Sequence, residues 1–354
     1  KYLEPDEQKQ FQKDYKAYLS SKHDTNGLME MGQVDAALQV YAKKGDWDKC
    51  LSMAQKEGEQ YVEKYTMMYA QNLVDKKKYD EAVMVLAKYS PSSSSSNIPA
   101  YISLCQSTVY EVPTYDVIQP SFFALRQMLF KVLKNAKPSD KGFSTLQNFT
   151  RAVHLLCQQS TLLKLNMDEL ATKSSMAILR YTDVLPADFL FYKAGDLLKK
   201  QGRPEAAMVF FNRFIDIVEV IESGDISNSN QIDHEKFENT DIPRSCCLRK
   251  QLSLKPDICT SVKDWVLEQT ITGSIEPQLP TSPCKKCGKQ IFMANLSCPY
   301  CKNKSEFCHI TGMPVINETK CTACGAVANR ADWGLYISKT GRCPCCDAPQ
   351  TAGA

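Results

Sequence analysis

Eight cysteines near the C-terminus fall into four Cys-x-x-Cys pairs: Cys284/Cys287, Cys298/Cys301, Cys321/Cys324 and Cys343/Cys346. A pair at this spacing puts two thiolates on one tight turn, aimed at a single ion, and two such pairs complete the tetrahedral S4 shell of structural zinc. One pair alone would say little. Four of them in one stretch punctuated by Gly and Pro predict two Zn2+ ions. Disulfides are the alternative, but the opening Lys1-Tyr2-Leu3-Glu4-Pro5-Asp6 holds no hydrophobic segment of a signal peptide, and the chain is expected to be intracellular. With no initiator Met, it is expected to be a fragment of a longer protein.

The pairs can be wired in two ways. Consecutive pairing joins Cys284/Cys287 to Cys298/Cys301 and Cys321/Cys324 to Cys343/Cys346, across segments of 10 and 18 residues. It closes the shorter loops at the lower entropic cost and is preferred. The interleaved alternative is a RING-like cross-brace, which the spacing also permits. Cys308, His309 and Cys345 are left over. Cys345 could compete with Cys346, and Cys308-His309 could donate to another shell; otherwise Cys308 is a small buried hydrophobe. A catalytic zinc keeps a water and mixes His or carboxylate into its shell. Here thiolates are in surplus and no His-Glu-x-x-His occurs, so both ions are expected to be structural and no catalytic residue is assigned.

Bulk composition excludes several classes. The 354 residues are 43% apolar and carry a formal charge of +3. From residue 281 onward the formal charge is +5, from nine Lys/Arg and four Asp/Glu. Two Zn(Cys)4 centres would lower that to about +1. No strongly basic surface for nucleic acid is expected, and no run approaches the ~20 apolar residues of a membrane span. Walker loops, Rossmann fingerprints and Ser/His/Asp sets are missing.

The elements that must position the cysteines are helical. Tyr41-Ala-Lys-Lys-Gly45-Asp-Trp47-Asp-Lys-Cys50 is echoed 32 residues later by Leu73-Val-Asp-Lys-Lys77-Lys-Tyr79-Asp-Glu-Ala82, and again by Ala194 to Ala207. Each unit reads as helix, short turn, helix. A period near 34 is tetratricopeptide-like, and such hairpins bury their apolar faces only by stacking. Trp47 and Tyr79 are expected to fill the gap within their hairpins, Phe210 and Phe211 to lie in the core, and His154 to be a packed histidine. Ser90–Asn97 reads as a loop. The expected architecture is mainly α: a tetratricopeptide-like solenoid over 1–221, a linker over 222–280 with a short helix near 262–269, and a small zinc-stapled α+β domain over 281–354. Chelation is expected to unfold that domain and leave the solenoid intact.

Scattered motifs add a resemblance. Lys22-His-Asp24-Thr-Asn26-Gly27-Leu28, Gly45-Asp-Trp47-Asp-Lys-Cys50, Phe210-Phe211-Asn212-Arg213-Phe214-Ile215-Asp216, Asp241-Ile242-Pro243, Asp264-Trp265-Val266-Leu267 and Cys308-His-Ile310-Thr311-Gly312-Met-Pro314-Val315 resemble the C-terminal part of the intraflagellar transport 172 family, peripheral subunits of transport complex B. The resemblance implies N-terminal β-propellers not present here, a non-enzymatic scaffold role in trains along the cilium or flagellum and at the basal body, and other transport subunits as partners. It implies a terminal domain similar to a U-box, the zinc-free relative of RING domains, from which the four Cys pairs depart. The Cys-rich order is also similar to the tails of complex A subunits, and the solenoid to vesicle-coat proteins. By the same resemblance, a ubiquitin ligase would dock its conjugating enzyme through Ile310 and Pro344, with Trp333 nearby. The basic residue that commonly follows the last ligand is Asp347 here.

Overall fold

The computed structural model describes residues 4–89, 98–112, 118–224, 232–273 and 275–351. The serine-rich segment expected as a loop lies outside the described residues. The helices are α1 (Pro5–Ser21), α2 (Thr25–Glu30), α3 (Val34–Lys44), α4 (Trp47–Glu57), α5 (Glu59–Asp75), α6 (Tyr79–Lys88), α7 (Ile98–Glu111), α8 (Pro120–Asn135), α9 (Phe143–Lys164), α10 (Asp168–Ile178), α11 (Ala187–Lys200), α12 (Pro204–Ser223), α13 (Pro256–Thr272) and α14 (Arg330–Thr340). Two antiparallel hairpins, β1 (Thr281–Pro283) with β2 (Gln290–Phe292) and β3 (Glu318–Lys320) with β4 (Val327–Asn329), belong to the cysteine-rich end. Each of α1 to α6 packs on its successor, as does each of α8 to α12, and α6 also carries α8. The result is solenoid-like.

One turn chemistry recurs between these helices. After α1, α2, α3, α5, α9 and α11, a residue with positive φ (His23, Gly32, Gly45, Lys77, Asn166, Gly202) reverses the chain. The next amide then reaches back five residues: Asp24 N to Leu19 O at 2.9 Å, Lys78 N to Leu73 O at 2.9 Å, and Arg203 N to Leu198 O at 3.0 Å. This is the Schellman closure, which satisfies carbonyls the helix leaves orphaned. It explains why Gly45, Lys77 and Gly202 fall at matching places in the sequence echo.

Phe210 and Phe211 are buried as expected, but Trp47 and Tyr79 are only half-buried. Each is the first residue of its helix, so its ring sits at the hairpin's end instead of inside it. Trp47 stacks on Tyr69 at 4.8 Å and helps to line a surface cleft of about 580 Å³ with Lys64, Met68 and Asp75.

The segment after α12 is not polar padding. Ile232, Phe237, Ile242, Leu248 and Leu254 are buried in the main core, and the helix expected near 262–269 is the 17-residue α13. Side chains from the solenoid hold its irregular backbone. Asp188 accepts from Ser253 N at 2.6 Å and Ser253 Oγ at 2.8 Å, Tyr110 Oη donates to Leu248 O at 2.6 Å, and the buried Arg213 donates to Asp233 O at 2.5 Å. Buried backbone outside helices needs partners of this kind. Among the described residues, no helix is long and apolar enough to cross a membrane.

Candidate metal centres

The eight paired cysteines form two clusters, Cys284/Cys287/Cys298/Cys301 and Cys321/Cys324/Cys343/Cys346. Within each, the four sulfurs lie inside 4.8 Å of one another. This is the consecutive pairing. Tetrahedral coordination with metal–sulfur bonds of ~2.3 Å sets sulfurs about 3.8 Å apart, whereas a disulfide needs ~2.05 Å. The sulfur separations are 3.7 Å for Cys284–Cys301, 3.8 Å for Cys287–Cys298, and 3.7 Å for both Cys321–Cys346 and Cys324–Cys343. The donor set and its spacing therefore fit zinc.

All four turns are one structure used four times. In the first module Cys284 N donates to Lys289 O at 2.9 Å and Gly288 N to Cys284 O at 2.9 Å; in the second, Cys321 N donates to Ala326 O and Gly325 N to Cys321 O, both at 2.9 Å. The later turns repeat it, with Cys298 N to Asn303 O at 2.9 Å and Cys343 N to Ala348 O at 3.0 Å. The residue after each second cysteine (Gly288, Lys302, Gly325, Asp347) has positive φ. This winding aims backbone N–H groups at the first sulfur, as Ala323 N and Cys345 N do at 3.4 Å. Donors of this kind favour thiolate, although at Cys343 the neighbouring Cys345 side chain and burial outweigh them and push the thiol up. The amides of Cys287 and Lys286 draw the Cys284 thiol down to about 6. Burial opposes the shift at Cys321, yet the amides of Cys324 and Ala323 prevail and bring it to about 7. The first cysteine of every turn is buried, while the second faces outward or is half-covered. Metal bound here would be structural, because four thiolates fill its shell.

A fifth turn has the same winding and lacks the second thiol. In Cys308-His309-Ile310-Thr311-Gly312-Met313, Cys308 N donates to Met313 O at 2.9 Å and Gly312 N to Cys308 O at 2.7 Å. Thr311 stands where the second cysteine would be. Asp332 of α14 lies against this turn. Its Oδ2 lies 3.3 Å from Thr311 Oγ1 and 4.0 Å from Cys308 Sγ, and its Oδ1 accepts from Lys173 of α10 at 3.2 Å. Burial lowers the Lys173 pKa, but Glu169 and Asp332 outweigh it and raise it. Among the described residues Cys308 belongs to neither four-cysteine cluster. Sequence reasoning missed Thr311, Asp332 and Lys173. The signal was the Cys-x-x-Thr-Gly spacing, a knuckle with one ligand exchanged. Cys345 is half-buried and belongs to neither cluster.

Both modules are seated on the helices. Arg180, buried after α10, donates to Ala294 O of the first module and to Gly312 O of the second. His154 of α9 places Nε2 2.7 Å from His309 O, so that nitrogen carries the proton, and His309 Nδ1 meets Val327 O at 2.9 Å. Burial, then Arg126 and His309, hold His154 well below the ordinary histidine pKa. Lys339 of α14 donates to Leu165 O at 2.8 Å. Leu162, Met167, Leu170 and Leu197 of the helices share one apolar cluster with Ile310, Trp333, Tyr336, Cys321 and Cys343. Of the three residues considered for conjugating-enzyme docking, Ile310 and Trp333 lie inside this seat. Ile310 is 0% and Trp333 1% exposed, and Pro344 is buried as well.

No protein-family model matches the chain. Its sequence is similar to curated intraflagellar transport proteins. It is 28% identical over 355 aligned positions to the intraflagellar transport protein 172 homolog of Rattus norvegicus, covering 98% of this chain and 20% of that protein. The intraflagellar transport protein 172 of Chlamydomonas reinhardtii is 26% identical over 309 positions, 85% of this chain and 18% of its own length. The intraflagellar transport protein osm-1 of Caenorhabditis elegans is 28% identical over 319, 88% of this chain and 18% of its own. The chain therefore spans about a fifth of the length of the relatives it matches, and its similarity to the intraflagellar transport 172 proteins runs through both the helices and the cysteine-rich end.

Proposed function

We propose that this chain is a non-enzymatic scaffold segment of an intraflagellar transport subunit, working at the cilium or flagellum and the basal body. The observation that carries this reading is the continuous similarity to intraflagellar transport protein 172 homologs over 98% of the chain. Stacked helical hairpins offer long surfaces to other transport subunits. We take the hairpins as tetratricopeptide-like, the first four-cysteine module as a zinc ribbon and the second as a U-box relative. In that relative, one ion position is filled by Asp332 and Lys173 and the other keeps four thiolates for Zn2+.

The burial of Ile310, Trp333 and Pro344 favours this scaffold over a ubiquitin ligase, because a docking patch must be open to its enzyme. The test is to tag the protein in a ciliated cell and isolate its complexes. Ciliary signal together with co-purified complex B subunits supports the reading. Recovery with complex A or with vesicle coats, and no ciliary signal, refutes it. Autoubiquitination by the purified chain that is lost on Ile310→Ala, with folding intact, would restore the ligase.

A further inference from the structure

The two four-cysteine modules share one backbone and differ in what they display. Lys285 and Lys286 in the first turn match Thr322 and Ala323 in the second module, and Lys289 matches Ala326. In the later turn Tyr300 matches Cys345, Lys302 matches Asp347 and Lys304 matches Pro349. The second module makes the same hydrogen bonds without any of these lysines, so the winding does not require them. Lys285 is committed to the structure through Val315 O at 2.9 Å and Ile316 O at 2.8 Å. Lys286, Lys289, Lys302 and Lys304 are all exposed. Among the described residues, none of the four is in an ion pair, whereas Lys320 and Arg342 of the second module pair with Glu318 and Asp347.

The four lysines stand on two adjacent turns. The sulfur contacts hold the two turns face to face, and Lys289 Nζ sits 4.5 Å from the centre of the exposed Tyr300 ring. Lys302 occupies φ +57°, where Gly288 and Gly325 stand at two of the matching positions. An L side chain is strained there. Lys302 is thus an exposed lysine, in no ion pair among the described residues, in a backbone conformation that favours glycine.

We propose that the tip of the first module, formed by Lys286, Lys289, Lys302 and Lys304 around Tyr300, docks an acidic, glutamate-rich peptide segment of a partner protein. Charge complementarity selects the occupant. The group contains no arginine, so it lacks the bidentate fork that suits phosphates. Lys289 lies over one face of Tyr300 and competes there with a nucleotide base for stacking. No apolar wedge accompanies the lysines to enter a lipid bilayer. Four point charges on two adjacent turns suit the carboxylates of a short extended segment. The inference does not depend on the transport assignment.

The test uses the full 354-residue protein loaded with zinc, and a fluorescent ten-residue peptide rich in Glu, read by anisotropy beside its Gln counterpart. The expected affinity is tens of micromolar at low salt, with the Gln peptide at least tenfold weaker and a roughly tenfold loss at 300 mM salt. Lys286→Glu with Lys302→Glu should weaken binding at least tenfold with metal content unchanged. Lys302→Gly, which relaxes the backbone, should weaken it about threefold. Equal binding of the Glu and Gln peptides overturns the proposal, as does an unaffected Lys302→Gly variant. Tighter binding to phosphatidylserine vesicles or to a single-stranded oligonucleotide than to the peptide also overturns it, in favour of that other class.

Discussion

Gly312 and Gly325 occupy the same position of the same turn and differ in one respect, which makes them a matched pair. Their φ values are +74° and +73°. A Cβ at Gly325 would meet nothing within 4 Å, whereas one at Gly312 would lie 2.8 Å from Ala177 Cβ and 2.8 Å from Leu155 Cδ1, on the helices. Alanine at either site carries the left-handed penalty of about 1–2 kcal/mol. At Gly312 it also intrudes roughly an ångström into the seat, and overpacking of that kind costs about 1–3 kcal/mol. Gly312→Ala should therefore destabilise by about 2–5 kcal/mol and Gly325→Ala by about 1–2. The assay is urea unfolding of the zinc-loaded protein, followed by tryptophan fluorescence, since Trp333 is buried beside the seat. If the two variants agree within about 0.5 kcal/mol, the second module does not rest on α9 and α10 as described, and the reasoning fails.

Asp332→Asn should cost about 1–3 kcal/mol in urea, because Lys173 loses its buried partner and keeps only the exposed Glu169, while Cys308→Ala should cost nearer 1. Trp47→Ala should cost about 1–2 kcal/mol and Phe214→Ala about 3–5, the reverse of an order set by ring size, because Trp47 is half-exposed and Phe214 fully buried. Chelation should do more than unfold the cysteine-rich end: hydrogen exchange in α9 and α10 should rise, since Cys321 and Cys343 share a core with Leu162 and Leu170. Burial lowers the pKa of both His154 and His309, so the unfolded chain takes up their protons first as pH falls. Stability should hold above pH ~6.5 and decline below it by up to about 1.4 kcal/mol per pH unit per histidine. A flat profile from pH 6.5 to 5, or an unchanged slope in His154→Gln, contradicts this.

What was legible in the sequence was what is encoded locally. A Cys-x-x-Cys turn is complete within six residues, so its four copies could be found without knowing the fold, and loop entropy alone favoured the consecutive pairing seen in the two clusters. The hairpin echo was legible because a Schellman turn fixes its positive-φ residue relative to the helix before it. The buried segment after α12 was not, because Ile232, Phe237, Ile242, Leu248 and Leu254 recur at neither helical nor strand spacing; partners far away in sequence bury them. The seat was invisible for the same reason. Arg180 reads as an ordinary helix-end arginine until its two carbonyl partners, 114 and 132 residues away, are in view. The fifth turn escaped notice because the search was for sulfur, and Thr311 has kept the shape without it.

The single guanidinium of Arg180 has a mechanical consequence. One rigid planar group grips two modules at once, from a buried position beside Phe307, so swivelling the cysteine-rich end would break both contacts. It is an outrigger bolted to the frame. A load applied at its tip is delivered as torque to α9, α10 and α11 instead of being absorbed by a slack tether, and whatever grips the tip thereby orients the whole stack of helices.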